Sequence, residues 1–210
     1  LEELLILQQE NQIAQNKLKN LPAEIRQLEQ RITETENQLK NQQHDKLSHL
    51  AIDDLEERLI IEKSNLHELE SSISRFEIQI AEQLKLQQQV REKIAEANNT
   101  LASTRQEQAV LLTKVLNKQE IKARQAQLGS RFSQLNATLN KLNLENIVYP
   151  LSLEAQKLEL QLMRLQSKQL SGLIIRMDDF LVERRQQDIE KERTALIQAQ
   201  EEASGKHPVI

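Results

Sequence analysis

Histidines are the side chains of this sequence best suited to general acid–base chemistry or metal binding, and there are four of them: His44, His49, His67 and His207. No two are four residues apart, the spacing that places a pair of metal ligands on one face of a helix. His44 and His49 flank a predicted turn that also contains Asp45. Such a loose grouping is typical of solvated turn residues, so we predict no metal site.

Charged side chains form two further groups. Residues 53–57 contain Asp53, Asp54, Glu56 and Glu57 at the start of a predicted helix, where negative charge complements the helix dipole. Residues 178–185 contain Asp178–Asp179 and Glu183-Arg184-Arg185, which are adequately explained as charged pairs on a helix surface. Neither group requires a catalytic interpretation.

Other kinds of site are excluded by composition. Glycine occurs only at Gly129, Gly172 and Gly205, which leaves no glycine-rich phosphate loop. The chain has no cysteine, and therefore no disulfide, zinc ribbon or thiol chemistry. Its 28 basic and 32 acidic residues are interleaved without the basic stripe that nucleic acid binding requires. We predict no enzyme, no catalytic residue, no cofactor and no small-molecule ligand.

The elements available to this chain are helices. Leu, Gln, Glu, Lys, Ala and Arg dominate, and these residues lose little side-chain freedom in a helix. Three Gly, three Pro and 2% aromatic residues leave little for tight turns or a bulky compact core. No apolar run approaches the ~18 residues that span a bilayer. The chain begins at Leu1 without a Met or signal-like segment, so we expect a piece of a longer protein.

The strongest pattern runs over residues 52–101, where alternating steps of three and four give fifteen positions, twelve of them apolar. This seven-residue repeat indicates a coiled-coil helix whose stripe must pack against another helix, in the same chain or in another. Gln83 and Gln87 interrupt the repeat, and Leu84 and Leu86 offer a second phase. We therefore predict a local change of phase there.

Helix-breaking and capping residues predict where the helices end. Leu21-Pro22 predicts a break, residues 44–51 a turn, and Asn146–Pro150 a second turn because a residue before proline avoids the α region. Ser152 is then a predicted N-cap, and Ser204-Gly205 a predicted stop. A break near residues 98–104 stays open from the residues alone.

These signals predict an all-α fold, an elongated antiparallel coiled coil or helical bundle forming one domain over residues 1–210. The helices are expected at about 2–19, 22–43, 51–102, 105–144 and 153–203. Residues 158–181 are apolar on more than one face, so we expect two neighbouring helices there, with Ser171-Gly172 permitting a kink or close approach.

Three stretches carry a family resemblance. They are the break and restart at residues 18–29, the restart at 47–59, and residues 131–139, followed by the dense helix that begins at 152–156. Together they resemble the N-terminal periplasmic helical domain of the large mechanosensitive channels of the small-conductance family, found in Gram-negative inner membranes.

The resemblance implies a periplasmic extension of an inner-membrane channel that opens under membrane tension. The channel would be a ring of identical subunits, with its pore beyond Ile210. None of the matching positions is a pore or gating residue of that family. The resemblance thus implies helix packing within the chain and with identical subunits, and membrane contact only through segments outside it.

Two other functions remain open from the residues alone. One is a cytoplasmic coiled-coil scaffold or tether that binds partner helices, and the other is the helical hairpin of a secretion or efflux adaptor. Amphipathic helices also lie on membranes, but these polar faces mix Glu with Lys and Gln, which favours partner helices.

Overall fold

Three long helices make up the chain. The computed structural model describes residues 2–40, 50–111 and 118–205, and the helices are α1 (Glu2–Lys40), α2 (Ile52–Leu111) and α3 (Lys118–Gly205). Within the described ranges only Leu50 and Ala51 lie outside a helix. The predicted all-α fold is confirmed.

Two prolines lie inside helices, where the sequence predicted breaks. Pro22 lies within α1 and Pro150 within α3, so the break at Leu21-Pro22 and the turn at residues 146–150 were wrong. A proline removes one backbone hydrogen bond and costs about 3 kcal/mol in a helix interior. Buried neighbours offset that cost, since Leu21 precedes Pro22 and Leu153 follows Pro150 in the core.

The end predicted for the second long helix at about residue 102 was also wrong, because α2 continues to Leu111. The hydroxyls near that point bond to the preceding turn of their own helix. Thr100 Oγ1 donates to the Glu96 carbonyl at 2.9 Å, and Thr104 Oγ1 donates to the Thr100 carbonyl at 2.8 Å. Hydroxyls bonded in this way are compatible with a continuous helix.

Two other predicted boundaries concern α3, namely the cap at Ser152 and the stop at Ser204-Gly205. Ser152 is buried inside α3 and caps nothing, since that helix begins at Lys118. The predicted stop at Ser204-Gly205 stays a prediction, because α3 is described up to Gly205 and residues 206–210 lie outside the described residues. Most of the predicted turn at residues 44–51 lies outside the described residues.

The chain divides into two compact units. The first unit contains Leu1–Ile32 and Arg75–Leu162, and the second contains Thr33–Ser74 and Met163–Ile210. The interpretation of residues 1–210 as one domain stays a prediction.

The core of the first unit joins α2 to α3. Its buried residues on α2 are Val90, Ala97 and Leu101, and those on α3 are Leu139 and Leu142. Half-covered Ile94, Phe132, Leu135 and Tyr149 pack around them. The α2 members lie on the predicted seven-residue repeat, which is why this face is buried.

The core of the second unit also joins α2 to α3. Leu55 and Leu59 of α2 meet Ile174, Met177 and Leu181 of α3, and Leu55 and Met177 are 0% exposed. In this unit α3 also contacts α1, since Gln169 Nε2 donates to the Thr35 carbonyl at 3.4 Å. The apolar stretch of α3 therefore has two neighbouring helices here.

The repeat along α2 keeps one phase throughout. All fifteen of its positions from Ile52 to Leu101 are buried or half-buried, including Gln83 and Gln87. Leu84 and Leu86 are instead 45% and 47% exposed, so the predicted change of phase was wrong. A glutamine can cover a seam with its aliphatic stem while its amide reaches water. The two glutamines therefore let α2 keep a continuous seam.

We expect Gly129→Ala to raise the free energy of unfolding by about 0.5–1 kcal/mol, because a glycine inside a helix orders at a high entropic cost. A Cβ at Gly129 would meet nothing within 4 Å. Gly172→Ala should act in the same direction, since its Cβ would lie 3.7 Å from Arg176 Nη1, an ordinary contact. Urea unfolding followed by circular dichroism measures both, and a loss of stability in Gly129→Ala would contradict the open environment.

Candidate functional site

The structure describes one of the four histidines. Of the four histidines, His67 lies exposed on α2, while His44, His49 and His207 lie outside the described residues. In the parts of the chain that the structure describes, no group of three or more His, Asp or Glu side chains could hold a metal ion. The prediction that the chain has no catalytic or cofactor residues stays a prediction.

The two charged groups of the sequence meet each other across the second unit. Arg185 Nη2 of α3 lies 2.5 Å from Glu56 Oε1 of α2. Asp178 Oδ2 of α3 lies 3.1 Å from Lys63 Nζ of α2. Glu56 of the acidic group, together with Lys63, thus forms one ladder of ion pairs with Asp178 and Arg185 of α3.

The ladder fixes the direction and register of this helix pair. From Glu56 to Lys63 the chain advances seven residues along α2, while from Arg185 to Asp178 it goes back seven residues along α3. The two helices are therefore antiparallel in the second unit, with matching seven-residue steps. Exposed ion pairs contribute only about 0–1 kcal/mol each. These two pairs therefore indicate the register of α2 and α3 but add little to the stability of the helix pair.

In the first unit, too, α2 and α3 are antiparallel. Arg131 Nη1 lies 3.7 Å from Glu107 Oε2, and the Arg105 guanidinium lies 5.5 Å from the centre of the Phe132 ring. The later residue on α2 meets the earlier residue on α3, which is antiparallel order. A cation over an aromatic face contributes about 0.5–1 kcal/mol at an exposed site.

A lysine joins α1 to α3 in the first unit. Lys141 Nζ lies 2.6 Å from Glu10 Oε2 and 3.8 Å from Glu145 Oε1. The hydrogen bond that Lys141 donates to Glu10 raises the pKa of the ammonium above 10.5, and burial opposes this. Burial and the charge of Glu145 raise the pKa of the neighbouring Tyr149 phenol. No spacing in the sequence indicates the pair of Glu10 with Lys141.

The raised pKa of Lys141 predicts a pH dependence of stability. Because the folded pKa exceeds the unfolded value, the Glu10–Lys141 pair stabilises the fold below pH 10.5 and loses this effect as pH rises through the folded pKa. We expect Lys141→Met to lower the free energy of unfolding by no more than about 1 kcal/mol at neutral pH, and by less above pH 10.5. The measurement compares the urea midpoints of the unsubstituted chain and of Lys141→Met, at neutral pH and above pH 10.5. In a chain that already carries Glu10→Gln, the effect of Lys141→Met should depend less on pH. An unchanged pH dependence would contradict its assignment to the Glu10–Lys141 pair.

The first unit also has open grooves between its helices. One, of about 510 Å³, is lined by residues of all three helices, among them Leu7, Lys93, Lys141 and Tyr149. Another, of about 580 Å³, lies between α2 and α3 and is lined by Ser103, Glu107, Arg124 and Arg131, among others. Both mix apolar and charged side chains.

None of the described helices combines the length and apolar character needed to cross a membrane.

The chain matches a known family. The sequence profile described as the mechanosensitive ion channel porin domain matches residues 7–210. No curated protein and no solved structure matches the chain. The match confirms the resemblance carried by residues 18–29, 47–59 and 131–139. It extends over nearly the whole sequence, and it describes a domain of channels rather than a family of enzymes. This chain belongs to the mechanosensitive ion channel porin domain family.

Proposed function

We propose that this chain is a non-catalytic helical extension of a mechanosensitive ion channel, and that it changes the membrane tension at which the channel opens. The observation that carries the proposal is the family match over residues 7–210. The proposed action is mechanical, because long paired helices transmit or resist force without a ligand.

The packing of the second unit supports a mechanical role. A slip of α2 against α3 by one seven-residue step would displace the helices by about 10 Å. It would separate Glu56 from Arg185 and Lys63 from Asp178. It would also move the fully buried Leu55 and Met177 out of register. Sliding is therefore opposed by the same contacts that form the core.

We further propose that the domain lies in the periplasm and contacts identical subunits of the channel. The resemblance of residues 18–29, 47–59 and 131–139 to periplasmic domains of this channel class supports the periplasmic side. The lack of cysteine is compatible with an oxidising compartment. The same resemblance supports contact between identical subunits.

Patch recordings of the full-length channel with and without residues 1–210 test the mechanical role. We expect both proteins to give pressure-evoked currents, with different pressures for half-maximal opening. The number of channels per patch, measured at saturating pressure, controls for expression. Identical pressure–response curves would contradict the proposal, and so would a full-length protein that gives no tension-gated current.

The side of the membrane is tested with a single introduced cysteine. Ser64 is exposed on α2, and the 210 residues contain no competing thiol. We expect Ser64→Cys in the full-length channel to react with a membrane-impermeant maleimide in intact spheroplasts. The full-length protein without this substitution is the matched control. Labelling that occurs only after lysis would place the domain in the cytoplasm.

A further inference from the structure

A line of exposed apolar residues runs along α3 in the second unit. Ile175, Val182, Ile189 and Leu196 are seven residues apart, and each is between 55% and 68% exposed. The line is separate from the buried core of this unit, which uses Ile174, Met177 and Leu181. Nothing among the described residues covers it.

The line lies directly beside the α3 half of the ion-pair ladder. Asp178 follows Ile175 by three residues and precedes Val182 by four, and Arg185 stands in the same relation to Val182 and Ile189. Residues three and four apart are surface neighbours on a helix. The apolar line and the ladder are therefore adjacent along at least two heptads.

An apolar residue also borders the α2 half of the ladder. Ile60 follows Glu56 by four residues and precedes Lys63 by three, and it is 69% exposed. The ladder thus has apolar side chains on both of its edges. We call this surface the ion-pair face; it consists of the four ladder residues and of Ile60, Ile175, Val182, Ile189 and Leu196.

The spacing on this face suits another helix. A strict seven-residue repeat drifts by about 20° per heptad on a straight helix, and it stays in contact only with a partner helix that coils with it. Apolar residues repeated in this way are the knobs of helix–helix packing. A flat protein surface or an extended peptide would not require the repeat.

The charge of the ion-pair face indicates what charge a partner helix should carry. Asp179 lies between Ile175 and Val182, Glu192 lies between Ile189 and Leu196, and Glu57 precedes Ile60 by three residues. None of these three carboxylates has an ion pair within the described residues. The face therefore carries unpaired negative charge beside its apolar residues.

The basic side chains near the same face are already paired. Lys63 and Arg185 belong to the ladder. Further along α3, Lys191 lies 2.9 Å from Asp188, and Arg193 lies 3.9 Å from Glu190. Unpaired carboxylates disfavour an anionic lipid surface and favour a cationic partner.

We propose that the ion-pair face binds an amphipathic helix of a partner protein whose apolar residues repeat every seven positions and are flanked by Lys or Arg. The apolar residues of that helix would pack between Ile60 and the α3 line, and its cations would pair with Glu57, Asp179 and Glu192. This interaction does not depend on the proposed channel function and is measurable on the 210-residue chain itself.

Two synthetic helical peptides test the proposal. Both carry Ile at seven-residue spacing, and the flanking positions are Lys in one peptide and Glu in the other. Fluorescence anisotropy of labelled peptide measures binding to the 210-residue chain. We expect the Lys peptide to bind at least about tenfold more tightly than the Glu peptide, and added salt to reduce the difference.

Substitutions in the chain locate the binding surface. We expect Val182→Glu and Ile189→Glu each to weaken binding of the Lys peptide at least about tenfold, because an added carboxylate in the apolar line must be desolvated. Ile78→Glu, at an exposed residue of the first unit, is the matched control and should leave binding unchanged. Unchanged circular dichroism spectra show that the variants fold.

Four results would overturn the proposal. The first is equal binding of the two peptides, the second is binding that Val182→Glu and Ile189→Glu leave intact, and the third is no binding at all. The fourth is a chain that self-associates in light scattering and becomes monomeric with Val182→Glu, because a second copy would then be the occupant.

Discussion

Replacement of Leu55 by Ala is expected to lower the free energy of unfolding by about 2–5 kcal/mol. Leu55 is 0% exposed and packs in the cluster that joins α2 to α3 in the second unit. Removing its branched end leaves a cavity among Leu59, Ile174 and Met177, and a packed core relaxes only partly around such a cavity. An antiparallel helix pair has few such layers, so one loss is a large part of its stability.

Ile60→Ala is the matched control for this prediction. Ile60 lies five residues further along α2 and is 69% exposed, so its replacement should change the free energy of unfolding by no more than about 0.5 kcal/mol. Urea denaturation of both variants, followed by circular dichroism, gives the comparison. Equal effects of the two substitutions would mean that the second unit does not pack through Leu55.

Replacement of Pro150 by Ala is expected to raise the free energy of unfolding by up to about 3 kcal/mol. Pro150 lies inside α3 and has no backbone N–H to donate to the carbonyl four residues earlier. It is exposed, so the smaller alanine leaves no cavity in the core. Pro22→Ala in α1 should act in the same direction, because Pro22 is also exposed inside a helix.

Pro150→Gly separates the effect of the restored backbone N–H from the effect of the helix preference of alanine. Glycine restores the N–H but orders at a greater entropic cost, so it should be about 1 kcal/mol less stable than the alanine variant. The shift of the urea midpoint measures all three variants. If Pro150→Ala destabilises the chain, then α3 does not run continuously through residue 150.

The helical fold and its seam could be predicted because the seven-residue repeat is a local property of the sequence. Every position of the repeat from Ile52 to Leu101 is covered in the structure. The helix ends could not be predicted as well. Pro22 and Pro150 are strong local breakers, but burial of residues such as Leu21 and Leu153 outweighs them. That burial depends on packing against other helices, and a local sequence pattern does not show which helices those are.

The ion-pair ladder shows the same limit at the candidate site. Glu56 and Arg185 are 129 residues apart, and Lys63 and Asp178 are 115 residues apart. Sequence analysis interprets Glu56 as a complement to the dipole of its own helix, and Asp178 and Arg185 as parts of charged pairs on the surface of theirs. One signal was available in the sequence: opposite charges occur at matching seven-residue steps in both segments, as antiparallel pairing requires.

The resemblance of residues 18–29, 47–59 and 131–139 to this channel class indicated the family, and the match over residues 7–210 confirms it. The exposed line on α3 was not separated from the core by sequence reasoning. Ile174 and Ile175 are adjacent apolar residues, and only the position of α2 decides that Ile174 is buried and Ile175 exposed.

Cross-linking of cysteine pairs tests the antiparallel register of α2 and α3 most directly, since the chain contains no other thiol. A bifunctional maleimide shorter than about 10 Å, the length of one seven-residue step, should link Glu56→Cys with Arg185→Cys, and Lys63→Cys with Asp178→Cys, within one chain. The mismatched pairs, Glu56→Cys with Asp178→Cys and Lys63→Cys with Arg185→Cys, should react much more slowly. Equal reaction of matched and mismatched pairs, or links formed only between chains, would contradict the fold and the mechanical role proposed for it.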